Sequence, residues 1–363
     1  MTKTLLPKIK EKARNMMKTQ GIKGPFFSNP LYKELLLGIE KLRNKNGAIC
    51  AAESFEYSAC WLRDQVYSTL AYFYLNDHKK FRDGVWVVFD ILHKHKEKIE
   101  SIICYPPVFG HEYIHAKFHP ETYDEITKEW GHHQLDAIGL FLYIVGFSSQ
   151  NKISLIRGKE DKDLIQLLVL YLNAVRFWEV PDNGMWEEGM DFHASSIGAC
   201  VAGLLKIKDE NLAVVPDSMI KNGREMLQKI LPNESPEREE DLAQLSLIWP
   251  YNLLSEDSSK EILNRITSRL VQKNGVNRYW SDNYYRSLNG VSAEWTMGFF
   301  WLALSYNELG NKEEAKKWFE RGLATRTHNG LLPELYFNDK PNGNTPLAWS
   351  HSLAIIAGKK LGI

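Results

Sequence analysis

Cysteine is sparse. Only Cys50, Cys60, Cys104 and Cys200 occur in 363 residues, irregularly spaced and without a CxxC pair. That excludes a disulfide scaffold and points to buried free thiols. No apolar core segment lies in the first twenty residues, which carry Lys3, Lys8, Lys10, Lys12, Arg14 and Lys18, so a secretory signal is not expected. The longest apolar run, Ile138 to Phe147, is too short to cross a bilayer. No charge sign prevails, since Lys plus Arg and Asp plus Glu number 45 each; no overall field favours nucleic acid or an anionic membrane. Period-two alternation is scarce, and no linker rich in Gly, Ser or Pro divides the chain. The expectation is a cytoplasmic protein without a nucleic-acid or membrane partner, its oligomeric state left open.

What the sequence does hold is helical periodicity and aromatic residues. Apolar positions recur at three- and four-residue spacing over 31–44, 61–75, 79–98, 132–147, 160–177, 194–206, 216–231, 239–247, 256–271, 293–309, 311–325 and 346–361. Short strands are expected near 102–118 and 275–286. Some helices, such as Ala194 to Leu205 and Trp295 to Leu304, are apolar nearly all round, whereas Lys312 to Arg321 and Ser258 to Leu270 carry one charged face. Buried and half-exposed helices in alternation suit an inner and an outer ring: an all-α (α/α)6 barrel of about six hairpins. The barrel is expected over 31–363, with residues 1–30 as a helical extension. Eleven Trp and sixteen Tyr, many beside charged residues, suit carbohydrate recognition and also large helical cores.

Function is expected in the long connections. Trp178 to Gly198 runs through a Pro-Asp-Asn-Gly turn into Trp186-Glu187-Glu188. A carboxylate partly desolvated beside an aromatic ring has its pKa raised and can deliver a proton; an acidic surface loop is the plainer reading. Trp61-Leu62-Arg63-Asp64 opens a helix and offers a donor and an acceptor to sugar hydroxyls, or simply an ion pair at a helix start. Trp130-Gly131-His132-His133-Gln134-Leu135-Asp136 offers a stacking ring and two polar handles, and adjacent His side chains diverge too far to chelate a metal together. Asn277 to Tyr285 gathers aromatics around Arg278 and Tyr279. Glu334 lies between Pro333 and apolar residues, ahead of Thr345-Pro346-Leu347-Ala348-Trp349-Ser350-His351; it is a backbone cap or a catalytic group. His111-Glu112-Tyr113-Ile114-His115 fits the HExxH zinc pattern. However, Pro106, Pro107, Gly110 and Pro120 crowd the helix that pattern needs, and a zinc hydrolase ranks third among the readings.

The ordered set WxRD, WGxxQxDA, DxGxWEEG…FHASSIG, RYxxDxY and LLPELYF…TPLAWSHSL resembles glycoside hydrolase family 15 over residues 50 to 356. That family holds glucoamylases, glucodextranases and some trehalases, and the regulatory subunits of phosphorylase kinase are related to it. The resemblance implies an (α/α)6 barrel and an inverting, exo-acting hydrolase. Its implied substrate is a short oligosaccharide of α-linked glucose, and it needs neither metal nor organic cofactor. It further implies Glu187 as general acid and Glu334 as general base. Arg63 and Asp64 would grip the terminal sugar, with further contacts from Trp61, Trp130, Gln134, Asp136, Trp186, Glu188, Arg278, Tyr279 and Trp349. A catalytically silent sugar-binding or regulatory protein on the same barrel is the alternative.

Overall fold

The computed structural model describes residues 29–105, 107–126, 131–282, 284–285 and 292–363. The extension expected over residues 1–30 therefore lies outside the described residues but for its end. Thirteen α-helices are described. Six are buried over most of their surface: α2 (Leu62–Tyr74), α5 (Leu135–Gln150), α7 (Ala194–Asp209), α9 (Leu245–Ile248), α11 (Met297–Glu308) and α13 (Ala348–Leu361). Six amphipathic helices stand outside them: α1 (Pro30–Leu42), α3 (His78–Lys94), α6 (Lys159–Ala174), α8 (Asp217–Ile230), α10 (Glu256–Arg269) and α12 (Lys312–Ala324).

The ring closes. Inner helices touch in the order α2, α5, α7, α9, α11, α13 and back to α2, and each packs on the outer helix that follows it in sequence. For α13 no outer helix follows, and α1 takes that place. Tyr32 on α1 donates to the Ile363 carbonyl at 2.6 Å, and His351 on α13 bonds the Leu35 carbonyl at 2.8 Å. The closest inner approach is between α5 and α7. A Cβ on Gly139 would lie 2.4 Å from the Ala199 carbonyl carbon, and one on Gly203 2.4 Å from the Gly139 oxygen, so hydrogen is the only tolerated substituent there.

The differences from the expected pattern have local causes. The segment read as one helix over 79–98 breaks at His95, and a thirteenth helix, α4 (Lys96–Cys104), follows. Cys104 is exposed at its end; elsewhere Cys50 is half-buried, and only Cys60 and Cys200 are the buried thiols expected. The helix expected over 239–247 is a tight turn, Leu242–Gln244, running into the four residues of α9, which stops short of Pro250 because proline lacks the donor a longer helix needs. Strands are shorter than any periodicity can reveal. β1 (Cys60–Trp61) pairs with β2 (Lys117–Phe118), and β3 (Glu294–Trp295), β4 (Leu335–Phe337) and β5 (Lys340–Pro341) form an antiparallel sheet. Among the described residues of 275–286 only isolated bridges occur, at Val276 and Tyr279. No helix among the described residues is long and apolar enough to cross a membrane.

Candidate active site

The segments that enter the inner helices carry the site. β1 feeds straight into α2, and Leu62 donates its N–H to the Ala116 carbonyl at 3.0 Å, so Arg63 and Asp64 occupy the first turn. The loop before α7 is closed into a ring: Asp182 and Asp191 exchange backbone hydrogen bonds of 3.0 and 2.9 Å. Asn183 pins that ring to the chain before α5, donating its N–H to the His133 carbonyl at 2.7 Å and accepting from the His133 N–H at 3.0 Å. Within the ring Glu187 has φ +64°, a left-handed conformation that costs a non-glycine residue about 1–3 kcal/mol and recurs at functional positions. Glu334 precedes β4; its N–H donates to the Asn344 carbonyl at 3.0 Å, and its carbonyl accepts from Thr296 at 3.1 Å.

These three segments meet around one pocket, a cavity of about 90 Å³. Of the sequence-derived candidates, Trp61, Arg63, Asp64, Trp186, Glu187, Arg278, Glu334 and Trp349 line it. Arg63 is 3% exposed and backed by Asp136 at 1%, which closes the pocket at that end. One Arg63 nitrogen donates to Gln134 at 3.1 Å and to both Asp136 oxygens at 3.2 and 3.0 Å, and the other meets Glu187 Oε1 at 3.0 Å. The Trp349 ring stacks on Tyr67 at 4.8 Å, 18° from parallel.

Four candidates stand behind the pocket wall, each occupied by an arginine. Gln134 and Asp136 hold Arg63, as described. Glu188 accepts from Arg278 at 3.0 Å, from Arg238 at 2.8 Å and from the Tyr279 hydroxyl at 2.9 and 2.8 Å. Glu188 and Tyr279 thus orient cations instead of facing the cavity. Asp282 grips Arg278 with both oxygens at 2.7 Å, and the guanidinium lies 4.7 Å from the Trp295 ring centre. Trp130 lies outside the described residues.

Three carboxyl groups share the pocket. Burial pushes Asp64 up to about 7, opposed by Arg63 and reinforced by Glu187 and Glu334. Burial also raises Glu334, while hydrogen bonds from Asn344, Asn342 and Tyr57 and the charge of Arg278 work the other way. Asn342 and Asn344 both donate to Glu334 Oε2, at 2.6 and 2.7 Å, which leaves Oε1 for other partners. Asn344 is itself held by Ser54 at 2.5 Å.

The sequence reading missed Tyr57, Trp295, Asn342, Asn344 and Arg238. Tyr57 lies six positions before Arg63, in the turn Phe55–Tyr57, and its phenol hydrogen-bonds Glu334. Arg238 sits just ahead of the helix expected over 239–247, where nothing in its neighbours marks it as part of the site.

The vicinal and zinc-pattern histidines are spread over different surroundings. His111 is exposed in the turn Gly110–Glu112, and Glu112 accepts from the Val108 and Phe109 N–H groups at 2.6 and 2.8 Å. His115 is buried, bonds the Lys117 N–H at 2.9 Å, and is pushed down to about 3 by burial and by His132. His133 stacks on Tyr113 at 3.6 Å. Only the first two residues of the HExxH pattern are helical, in a single 3-10 turn, so the pattern lies on no α-helix. Among the described residues no three His, Cys, Asp or Glu side chains are grouped to hold a metal.

The family model of glycosyl hydrolases family 15 matches residues 33–213. Over that stretch the chain matches that family. Arg63, Asp64 and Glu187 fall within the match, whereas Arg278 and Glu334 lie beyond it. Among curated relatives, the phosphorylase b kinase regulatory subunit alpha of Oryctolagus cuniculus skeletal muscle is 25% identical over 84% of this chain. A probable subunit of the same kind from Caenorhabditis elegans is 27% identical over 74%. The chain spans only 30% and 26% of those relatives' lengths. Among solved structures, a wild-type glycosidase has a TM-score of 0.78 at 19% identity, covering 92% of this chain and 96% of that one; a glycosidase variant in complex with glucose gives the same values. A bacterial glucoamylase complexed with acarbose has a TM-score of 0.66 at 14% identity, covering 92% of this chain and 56% of that one. At such identities these likenesses speak for the (α/α)6 barrel fold alone.

Proposed function

We propose that this protein is an inverting, exo-acting glycosidase of glycosyl hydrolases family 15. It would release glucose from the non-reducing end of short α-glucans, with Glu187 as general acid and Glu334 as general base. One observation carries the reading: two carboxylates distant in sequence line one pocket, closed at one end by a buried arginine. Inversion needs two such groups about 6.5–9.5 Å apart, one protonating the glycosidic oxygen and one activating water on the opposite face. Their environments must also differ. Glu334, held through Oε2 by two amides and bonded by Tyr57, would activate the water. Glu187 rests on Arg63 at 3.0 Å, a contact that favours the charged carboxylate. Proton donation therefore requires the bound sugar to take up Arg63, while Asp136 and Gln134 hold the other side of the guanidinium. Trp61, Trp186, Trp295 and Trp349 exclude water around the sugar and supply stacking faces.

The same Arg63–Glu187 pair favours a second reading, a sugar-binding protein without turnover, and the regulatory-subunit names of the curated relatives agree with it. Turnover decides between them. Purified protein is assayed on maltose, isomaltose, maltotriose and trehalose beside Glu187→Gln and Glu334→Gln. The enzymatic reading expects glucose from at least one sugar and a loss of roughly 100-fold or more in each variant. Sugar binding without glucose release, from wild type on every substrate, would move the assignment to the silent protein.

A further inference from the structure

Arg278, Tyr279 and Trp280 are consecutive, yet they face different surroundings. Arg278 lines the pocket and Tyr279 meets Glu188, while Trp280 is 73% exposed. It borders a separate groove of about 430 Å³ whose lining includes Glu237, Glu239, Arg269 and Ser281. Arg238 belongs to the same lining, 3.6 Å from the Tyr279 ring centre. The two cavities stand back to back across Glu188, which accepts from Arg238 on the groove side and from Arg278 on the pocket side. Glu234, at the start of the loop that carries Glu237 and Glu239, accepts the Ala194 N–H at 2.7 Å and so fixes the groove at the same end of the barrel as the pocket.

We propose that this groove is a second glucan-binding site, with Trp280 as its stacking platform, holding chains longer than the pocket accommodates. The reading rests on the proposed function and adds a length preference to it. An exposed indole offers one flat apolar face to a pyranose ring. Around it stand the Glu237 carboxylate, the Ser281 hydroxyl and the Arg269 guanidinium, which one nitrogen ties to Glu239 and Glu240 at 2.8 and 2.9 Å, the mixture of acceptors and donors that a ring of hydroxyls requires. Glu237, Glu239 and Glu240 outnumber Arg238 and Arg269 in the lining, which disfavours an anionic occupant such as a phosphate or a nucleic acid. An apolar peptide would bury the Glu237 carboxylate without a hydrogen bond. A chain that engages both sites gains affinity through effective concentration with no new contact in the pocket.

Isothermal titration of maltose and maltoheptaose tests this, in a Glu334→Gln background that stops turnover. Trp280→Ala is expected to weaken maltoheptaose roughly three- to tenfold, as loss of one aromatic face implies, and to leave maltose unchanged. Trp280→Phe should retain most of the affinity, a rescue that a mere folding defect would not show. Equal weakening of both sugars, or none of maltoheptaose, would overturn the second site. Maltose hydrolysis by the otherwise wild-type chain separates the two ideas. Trp280-dependent binding without hydrolysis removes the enzymatic reading and keeps the groove; hydrolysis with Trp280-independent binding does the reverse.

Discussion

Replacing Asp182 with Asn tests how the acid loop is held. Asp182 is 2% exposed. Its Oδ1 lies 2.9 Å from His193 Nδ1, and its Oδ2 accepts the Leu135 N–H at 3.0 Å, so one side chain joins the loop of Glu187 to the starts of α5 and α7. Burial works against the His193 charge, but Asp182 prevails and raises it from 6.5 to about 9. Burial likewise opposes the Asp182 charge, but His193 holds that carboxyl below its usual 3.8. The two shifts describe one interaction. Its stabilisation is lost as pH falls through the lowered Asp182 value. It is present in full from about 4 to 6.5, and it is lost again as pH rises through about 9. A rise from 6.5 to about 9 corresponds to roughly 3 kcal/mol. Asparagine can still accept from Leu135 but cannot stabilise imidazolium. Asp182→Asn should therefore lower unfolding stability in urea by about 2–3 kcal/mol at pH 6, and by under about 1 kcal/mol at pH 10. An equal loss at both pH values, or none at pH 6, would refute the reasoning.

Three further outcomes follow from the packing and the pocket. Gly139→Ala drives a methyl into the α7 backbone and should cost about 3 kcal/mol in urea; a loss under about 0.5 kcal/mol would contradict the α5–α7 spacing. A carboxyl raised on folding, such as Asp64, destabilises increasingly as pH climbs from 3.8 to about 7. Asp64→Asn should therefore stabilise the protein at pH 8 by a few kcal/mol and change little at pH 4, while weakening sugar binding; a stability gain that does not depend on pH would contradict it. Asn344→Ala removes a donor that lowers the Glu334 pKa. If Glu334 is the base, the acid limb of kcat/KM moves up by roughly 0.5–1 pH unit, and an unmoved limb would assign that limb to another group.

The ring of helices was legible because each inner helix is apolar on nearly every face and each outer helix on one, a contrast spread over many residues. His95 and α9 were not, since a break between two helices and a four-residue helix leave no period to read. The pocket was legible where a short run places its own side chains, as in Arg63-Asp64 and Trp186-Glu187. It was not legible where a side chain's direction depends on a distant partner. Glu188 follows Glu187 in sequence, yet Arg238 and Arg278 turn it out of the cavity. Asn342 and Asn344 reach Glu334 only because β4 and β5, of three and two residues, fold the chain back on itself.

The most direct test of the central claim is the anomer first released. Proton NMR follows glucose within the first minutes of turnover on the substrate the protein accepts, before mutarotation mixes the two forms. An acid at Glu187 and a water-activating base at Glu334 predict β-glucose from an α-linked sugar. Initial release of α-glucose would contradict the account, because it requires a carboxylate close enough to form a covalent glycosyl intermediate.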